Sequence, residues 1–369
     1  MSRGRFTALL AAALIVLAAA LYLGSRRNSD QPSAEGTLFL PQLASALGTV
    51  SEIDLQKGAA APGVATPAVT LHRAGELWTV AQRTDYPADS SKVHKLLLSL
   101  ADAKIVEEKT SNPANFAAIG VDDPAKPGAA GTQITIATKD GKHSVIVGKP
   151  IAEGNFARRG GEDRSFTVEP GITADVEPKA WIDSHLLDVP AAQIQSVEEK
   201  PAAGPGYTLH RLKPGEDGFA LDGALPAGRK LLDAKELAPS ASTLSGLTAE
   251  DVTAASGIDF SKSSQAIFTL ADGNIITVTG TAADDKRWIE VQSTKDAALN
   301  AKAQNRAFEV ASYRFDAIFR PLEQLLVPKE TKPAAVPPVT GKGGPKPSSP
   351  RAAVPGSSPA PGSSPPPTP

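Results

Sequence analysis

Apolar positions recur along this chain with two different periods. In "SEIDL" (51–55), "AVTLHR" (68–73), "ELWTV" (76–80), "TQITIAT" (132–138), "HSVIVG" (143–148) and "SFTVE" (165–169) they alternate with polar ones. These runs are rich in β-branched residues, so they predict short strands with one buried face. After Asp89 the period changes. Val93, Leu96, Leu97, Leu100 and Ala101 fall on one helical face, and Asp89 stands where an N-cap is needed. "EPKAWIDSHLLDV" (177–189) predicts a second helix with Pro178 in its first turn, and "SYRFDAIFRPLEQLL" (312–326) a last helical segment broken at Pro321.

The pattern also repeats. "TQITIATKDGKHSVIVG" (132–148) aligns without gaps on "SQAIFTLADGNIITVTG" (264–280). Each reads as a strand, an Asp-Gly turn and a strand closing on glycine, because Gly tolerates the positive φ of a tight hairpin. "NFARR" (155–159) and "RWIEV" (287–291) keep the same offset, and Thr-Leu-His-Arg stands at 70–73 and again at 208–211. "LLLSLADAKIV" (96–106) and "STLSGLTAEDV" (242–252) predict a helix in each copy. The expected fold class is therefore α+β, with two similar mixed sheet/helix units produced by internal duplication, at 38–190 and 191–327.

The two ends differ from this body. The uncharged run Phe6–Leu23 is long enough, at about 27 Å as a helix, to cross a bilayer core. It predicts a transmembrane anchor over 1–24 and a juxtamembrane linker over 25–37. A cleaved signal peptide is the competing reading, but Leu21–Leu23 continue past the small residues at 18–20. A short basic start before a large domain favours a body outside the cytoplasm. Residues 328–369 hold 14 prolines and almost no large apolar side chain, which predicts a disordered tail of polyproline II character.

Charge and cysteine usage narrow the function classes. The formal net charge of −2 divides into +4 over 1–27, +4 over 328–369 and −10 over the body between them. An acidic body lacks the clustered cations that nucleic acid demands. The 369 residues contain no cysteine, so disulfides, thiolate nucleophiles and zinc–thiolate sites are excluded. Nothing matches a nucleophile elbow, a zinc-protease helix, a Walker loop or an EF-hand. No catalytic residue, cofactor or metal is expected. His72 and His210 are the candidate interaction residues. They share a register in the two repeats and fall on the polar face of their strands, on an outer surface or at a seam between the units. Asp122-Asp123-Pro124 reads as turn chemistry, and Arg158-Arg159 as a solvated strand edge.

Several of these features occur together in one known family. Tyr86-Pro87-Ala88-Asp89 precedes a Leu-rich helix. Ile119 to Pro124, the Asp140-Gly141 hairpin with Val147-Gly148-Lys149, Phe156 and Trp181-Ile182-Asp183 follow in order. Over roughly residues 38–300 the chain resembles the bacterial domain of unknown function 4340. The resemblance implies a single-pass inner-membrane protein facing the periplasm, often encoded beside ABC-type exporters of the gliding-motility kind. It implies a non-enzymatic accessory or interaction role beside such a permease and ATPase, and supplies no catalytic residue. A periplasmic ligand- or glycan-binding module and a periplasmic hydrolase are the alternative classes. Either would place a cleft between the units, the first apolar and hollow, the second lined by convergent titratable groups. The oligomeric state stays open.

Overall fold

The computed structural model describes residues 34–58, 61, 66–214 and 216–328. The apolar run 6–23, most of the linker and the tail beyond Pro328 lie outside the described residues. Among the described residues no helix is long and apolar enough to cross a membrane.

The first half of the chain builds a nine-stranded antiparallel sheet. Its strands are β1 (Glu52–Lys57), β2 (Ala68–Ala74), β3 (Leu77–Val80), β4 (Tyr86–Pro87), β5 (Lys104–Thr110), β6 (Thr132–Thr138), β7 (Gly141–Pro150), β8 (Asn155–Arg159) and β9 (Ser165–Glu169). In space they run β4-β3-β2-β1-β6-β7-β8-β9-β5. Helix α1 (Pro41–Ala46) precedes the sheet. Helix α2 (Ser90–Asp102) joins β4 to β5, and the single turn α3 (Phe116–Ile119) follows β5. The Asp89 carboxylate caps α2 by accepting from the N–H groups of Ser91 (3.0 Å) and Lys92 (3.3 Å). Val93, Leu96, Leu97, Leu100 and Ala101 are the buried face of α2, as the spacing predicts.

A short strand, β10 (His185–Leu187), leads into the second half. That half contributes β11 (Ile194–Lys200), β12 (Tyr207–Arg211), β13 (Phe219–Leu221), β14 (Arg229–Leu231), β15 (Leu247–Thr248), β16 (Asp251–Ala254), β17 (Ser264–Leu270), β18 (Ile275–Ala283), β19 (Lys286–Ser293), β20 (Arg306–Glu309) and β21 (Leu326–Pro328). Helices α4 (Ala297–Ala303) and α5 (Ser312–Ile318) complete it. Its main sheet runs β13-β12-β11-β17-β18-β19-β20-β16. Apart from β4, this is the strand order of the first sheet. The register agrees as well: Ile53 faces Leu71 and Ile136 across its neighbours, and Val197 faces Leu209 and Phe268.

The architecture is α+β, with the sheets dominant. Side chains from the inner faces of both sheets, with α2, form one continuous apolar core. The glycines that close the two aligned hairpins are required by packing. A Cβ on Gly148 would stand 2.4 Å from the Ile119 carbonyl oxygen, and one on Gly280 2.1 Å from the Phe319 ring.

Three expectations are corrected. Residues 177–189 form one 3-10 turn (Pro178–Trp181) and then β10, because Leu186 and Leu187 bury themselves by pairing with β15 from the second half. Residues 242–252 form β15 and the start of β16 rather than a helix. Arg158 and Arg159 do not lie on an edge, since β8 is enclosed by β7 and β9. Arg158 is buried, with its Nε donating to the Val121 carbonyl (2.8 Å) and its guanidinium over Phe116. Arg159 donates to the Phe39 carbonyl (2.7 Å) and stacks between Phe39 and Phe166.

Candidate functional site

His72 and His210 occupy matching positions in β2 and β12, on the face opposite Leu71 and Leu209. Their side chains are 43% and 46% exposed, with Nδ1 3.5 Å from Glu52 and 2.5 Å from Asp222 respectively. Each histidine thus stands beside a carboxylate of its own half, on its sheet's solvent face. Pairs this exposed are worth at most about 1 kcal/mol. The variant carrying His72→Ala and His210→Ala is expected to melt within a few degrees of the parent in a calorimetric scan. A larger drop would mean that one of the rings carries a buried contact.

The residues that join the two halves are others. Arg83 grips Asp251 in a two-pronged ion pair, its Nη2 3.0 Å from Oδ2 and its Nε bonded to Oδ1. Their side chains are 22% and 11% exposed. Next to it, Thr84 and Asp85 both have positive φ, 57° and 51°. A β-branched residue rarely adopts that conformation. Here Arg306 holds it, donating to the Thr84 carbonyl (2.7 Å) and hydroxyl (3.0 Å) across the seam. Tyr86 is fully buried, edge-on to Phe308, with the Lys302 and Arg306 cations over its ring. Burial, and then the nearby Asp183 carboxylate, push its phenol pKa up; Arg306 pulls partly back. Asp183 accepts from Lys302 at 2.8 Å, and the Ala249 N–H donates to the Ser184 carbonyl at 2.8 Å.

A second unusual group lies on the inner face of the second sheet. Glu199 of β11 is 3% exposed and faces Tyr207 and Ala266 on the neighbouring strands. The matching position in the first sheet is Leu55, 1% exposed, between Val69 and Ile134. A carboxyl therefore stands where the other sheet has core leucine. Among the described residues no hydrogen bond or ion pair reaches it. Burial pushes its pKa up to about 9, so the group is protonated at neutral pH. Tyr207 beside it donates its hydroxyl to the Arg320 carbonyl (2.7 Å). The Tyr207 phenol is also pushed up, by burial and by Glu199, with Arg320 opposing.

The third feature is a groove of about 280 Å³ in the first half. One wall is a single face of α2, carrying Lys92, Lys95, Leu96 and Ser99 at helical spacing. The other wall is the segment after β9, which presents Gly171, Thr173, Asp175, Ala180 and Trp181. Trp181 is fixed by its indole N–H, which donates to the Asp175 carbonyl (2.9 Å), and by its own carbonyl, which accepts from Asp89 N–H (2.8 Å). The Lys92 ammonium is occupied by the Ala180 carbonyl at 2.7 Å. The groove is lined wholly by the first half, so it is not the inter-unit cleft considered from sequence. No cluster of three or more His, Asp or Glu able to hold a metal occurs among the described residues.

The pairing signal of Thr-Leu-His-Arg located the strands, but the seam was invisible to it. Its one sequence trace is "RTDYP" (83–87), a polar turn entering a buried tyrosine. Glu199 was hidden in "VEEK" (197–200), which reads as a solvated strand end.

No curated protein and no solved structure matches the chain. One family does, over residues 78–265, more than half of the 369 residues and a narrower span than the resemblance read from sequence. The matched stretch begins in β3 and ends in β17, so it contains α2, the groove, Arg83 with Asp251 and Glu199. The chain belongs to the family described as domain of unknown function DUF4340.

Proposed function

We propose that this protein is a non-enzymatic accessory subunit of the bacterial envelope, built by duplication of one α+β unit. Residues 6–23 anchor it in the inner membrane, its body faces the periplasm, and it docks on an ABC-type export complex. The observation that carries this reading is the seam. Two sheets of matching strand order are joined through Arg83–Asp251, Thr84–Arg306 and the β10–β15 pair into one compact unit. A body held together in this way keeps the spacing of its two solvent-facing sheet surfaces constant, which suits a docking platform. The duplication is supported by the shared order and register of the sheets. The location is supported by the length of the apolar run and by the lack of cysteine. The exporter as partner rests on the family resemblance.

Affinity purification of the full chain in mild detergent, from the native host at native expression, tests this. Permease and ATPase subunits are expected in the eluate at near-stoichiometric amounts. Their absence, with the bait intact and membrane-extracted, would overturn the exporter role.

A further inference from the structure

The groove beside Trp181 has a feature the docking role does not use. Of the two lysines on its helical wall, Lys92 is committed to the Ala180 carbonyl and stands 3.8 Å from Asp89. Lys95, one turn further along the same face, makes no hydrogen bond or ion pair among the described residues. It stands at the rim of a pocket whose floor is Leu96, Ala180 and the buried Trp181. An uncommitted ammonium above an apolar floor is complementary to a ligand with an anionic head and an apolar body.

Two further observations narrow the class. Asp175 lines the same groove. Its carboxylate is held in place by the Glu177 N–H at 2.8 Å. The Lys92 and Lys95 ammoniums and the Asp175 carboxylate leave the lining one net positive charge, which a head of one negative charge neutralises and a phosphate dianion overcompensates. The volume of about 280 Å³ lies just below the usual range for ligand pockets, so the apolar body must be compact. The remaining polar groups suit a carboxylate. The Thr173 hydroxyl has no protein partner among the described residues, whereas Ser99 Oγ already donates to the Leu96 carbonyl (2.8 Å).

We propose that this groove is a binding site for a small monocarboxylate with a compact apolar body, its head on Lys95 and Thr173 and its body on Leu96, Ala180 and Trp181. The site is independent of the exporter: it requires only the first half of the fold.

The experiment uses the full chain in lipid nanodiscs and follows 4-fluorophenylacetate by fluorine NMR, with empty nanodiscs as the blank. Saturable binding is expected. It should be at least tenfold tighter than that of the neutral amide of the same acid, and 4-fluorophenethylamine should not compete. Lys95→Glu changes an exposed side chain and should keep the parental melting temperature while losing at least tenfold in affinity. Ser99→Phe, which fills the groove, should abolish binding of acid and amide alike. Three results would overturn the proposal: no saturable binding of the acid, equal binding of acid and amide, or full affinity in a folded Lys95→Glu variant. If Ser99→Phe misfolds, Thr173→Phe from the opposite wall gives the same readout.

Discussion

Glu199→Leu is expected to stabilise the protein at pH 7 by about 3 kcal/mol, seen as a rise of several degrees in melting temperature. The unfolded chain releases the Glu199 proton near pH 4.5, whereas the folded chain holds it up to about 9. Between those values folding must retain a proton that the unfolded state gives up. The parent is therefore most favoured below about pH 4.5 and loses up to about 1.4 kcal/mol per pH unit from this group as the pH rises towards 9. Above that the loss levels off. Leucine removes the titration and restores what the first sheet has at Leu55. Glu199→Gln should flatten the same slope without adding apolar burial, which separates the proton from the packing. Melting temperatures of the three proteins from pH 5 to 9 are the measurement. Parallel curves for parent and both variants would show that the carboxyl ionises freely in the folded state.

The other large effect is expected at the seam. Arg83→Ala leaves the Asp251 carboxylate, its side chain only 11% exposed, without its cation. Removing one partner of a buried pair costs about 3–5 kcal/mol, because the remaining charge keeps its desolvation penalty. The Val252 N–H still donates to Asp251 at 2.8 Å, and the arginine is partly exposed, so the lower end of that range is expected. Adding Asp251→Ala to Arg83→Ala should recover part of the loss, since no orphaned charge then remains. A double-mutant cycle by denaturant unfolding measures this. Additive single effects would mean that the two groups do not interact across the seam. A resolved two-step transition in Arg83→Ala would show the halves unfolding separately once the seam is broken.

Much of the local structure was legible before any tertiary contact was known. The face of α2 follows from the spacing of Val93, Leu96, Leu97, Leu100 and Ala101, and its start from Asp89. The aligned hairpins follow from period-two alternation around Asp140-Gly141 and Asp272-Gly273. In each case the information lies within a few residues, where propensity and turn chemistry operate. The candidate sites were far less legible. The Trp181 groove joins one face of α2 to a segment about 80 residues later, a pairing that no local pattern encodes.

The sequence by itself determined the strand-rich α+β class, the core-facing positions, the helix cap and the repeated register marked by Leu71 and Leu209. Only the tertiary structure decided what 177–189 becomes. Its apolar residues fit a helix in isolation, but the short strand Leu247–Thr248 from the second half offers them backbone partners and burial together, so the strand wins. Only the tertiary structure placed Arg158 and Arg159 inside the sheet: β9 follows β8 through a short hairpin, but β5, about 50 residues earlier, closes the sheet beyond them through a connection that no local pattern encodes. The same holds for Glu199 and Arg83. Whether a charged residue is solvated or buried depends on which distant segment covers it, and period-two alternation reports the face of a strand without reporting what lies above it.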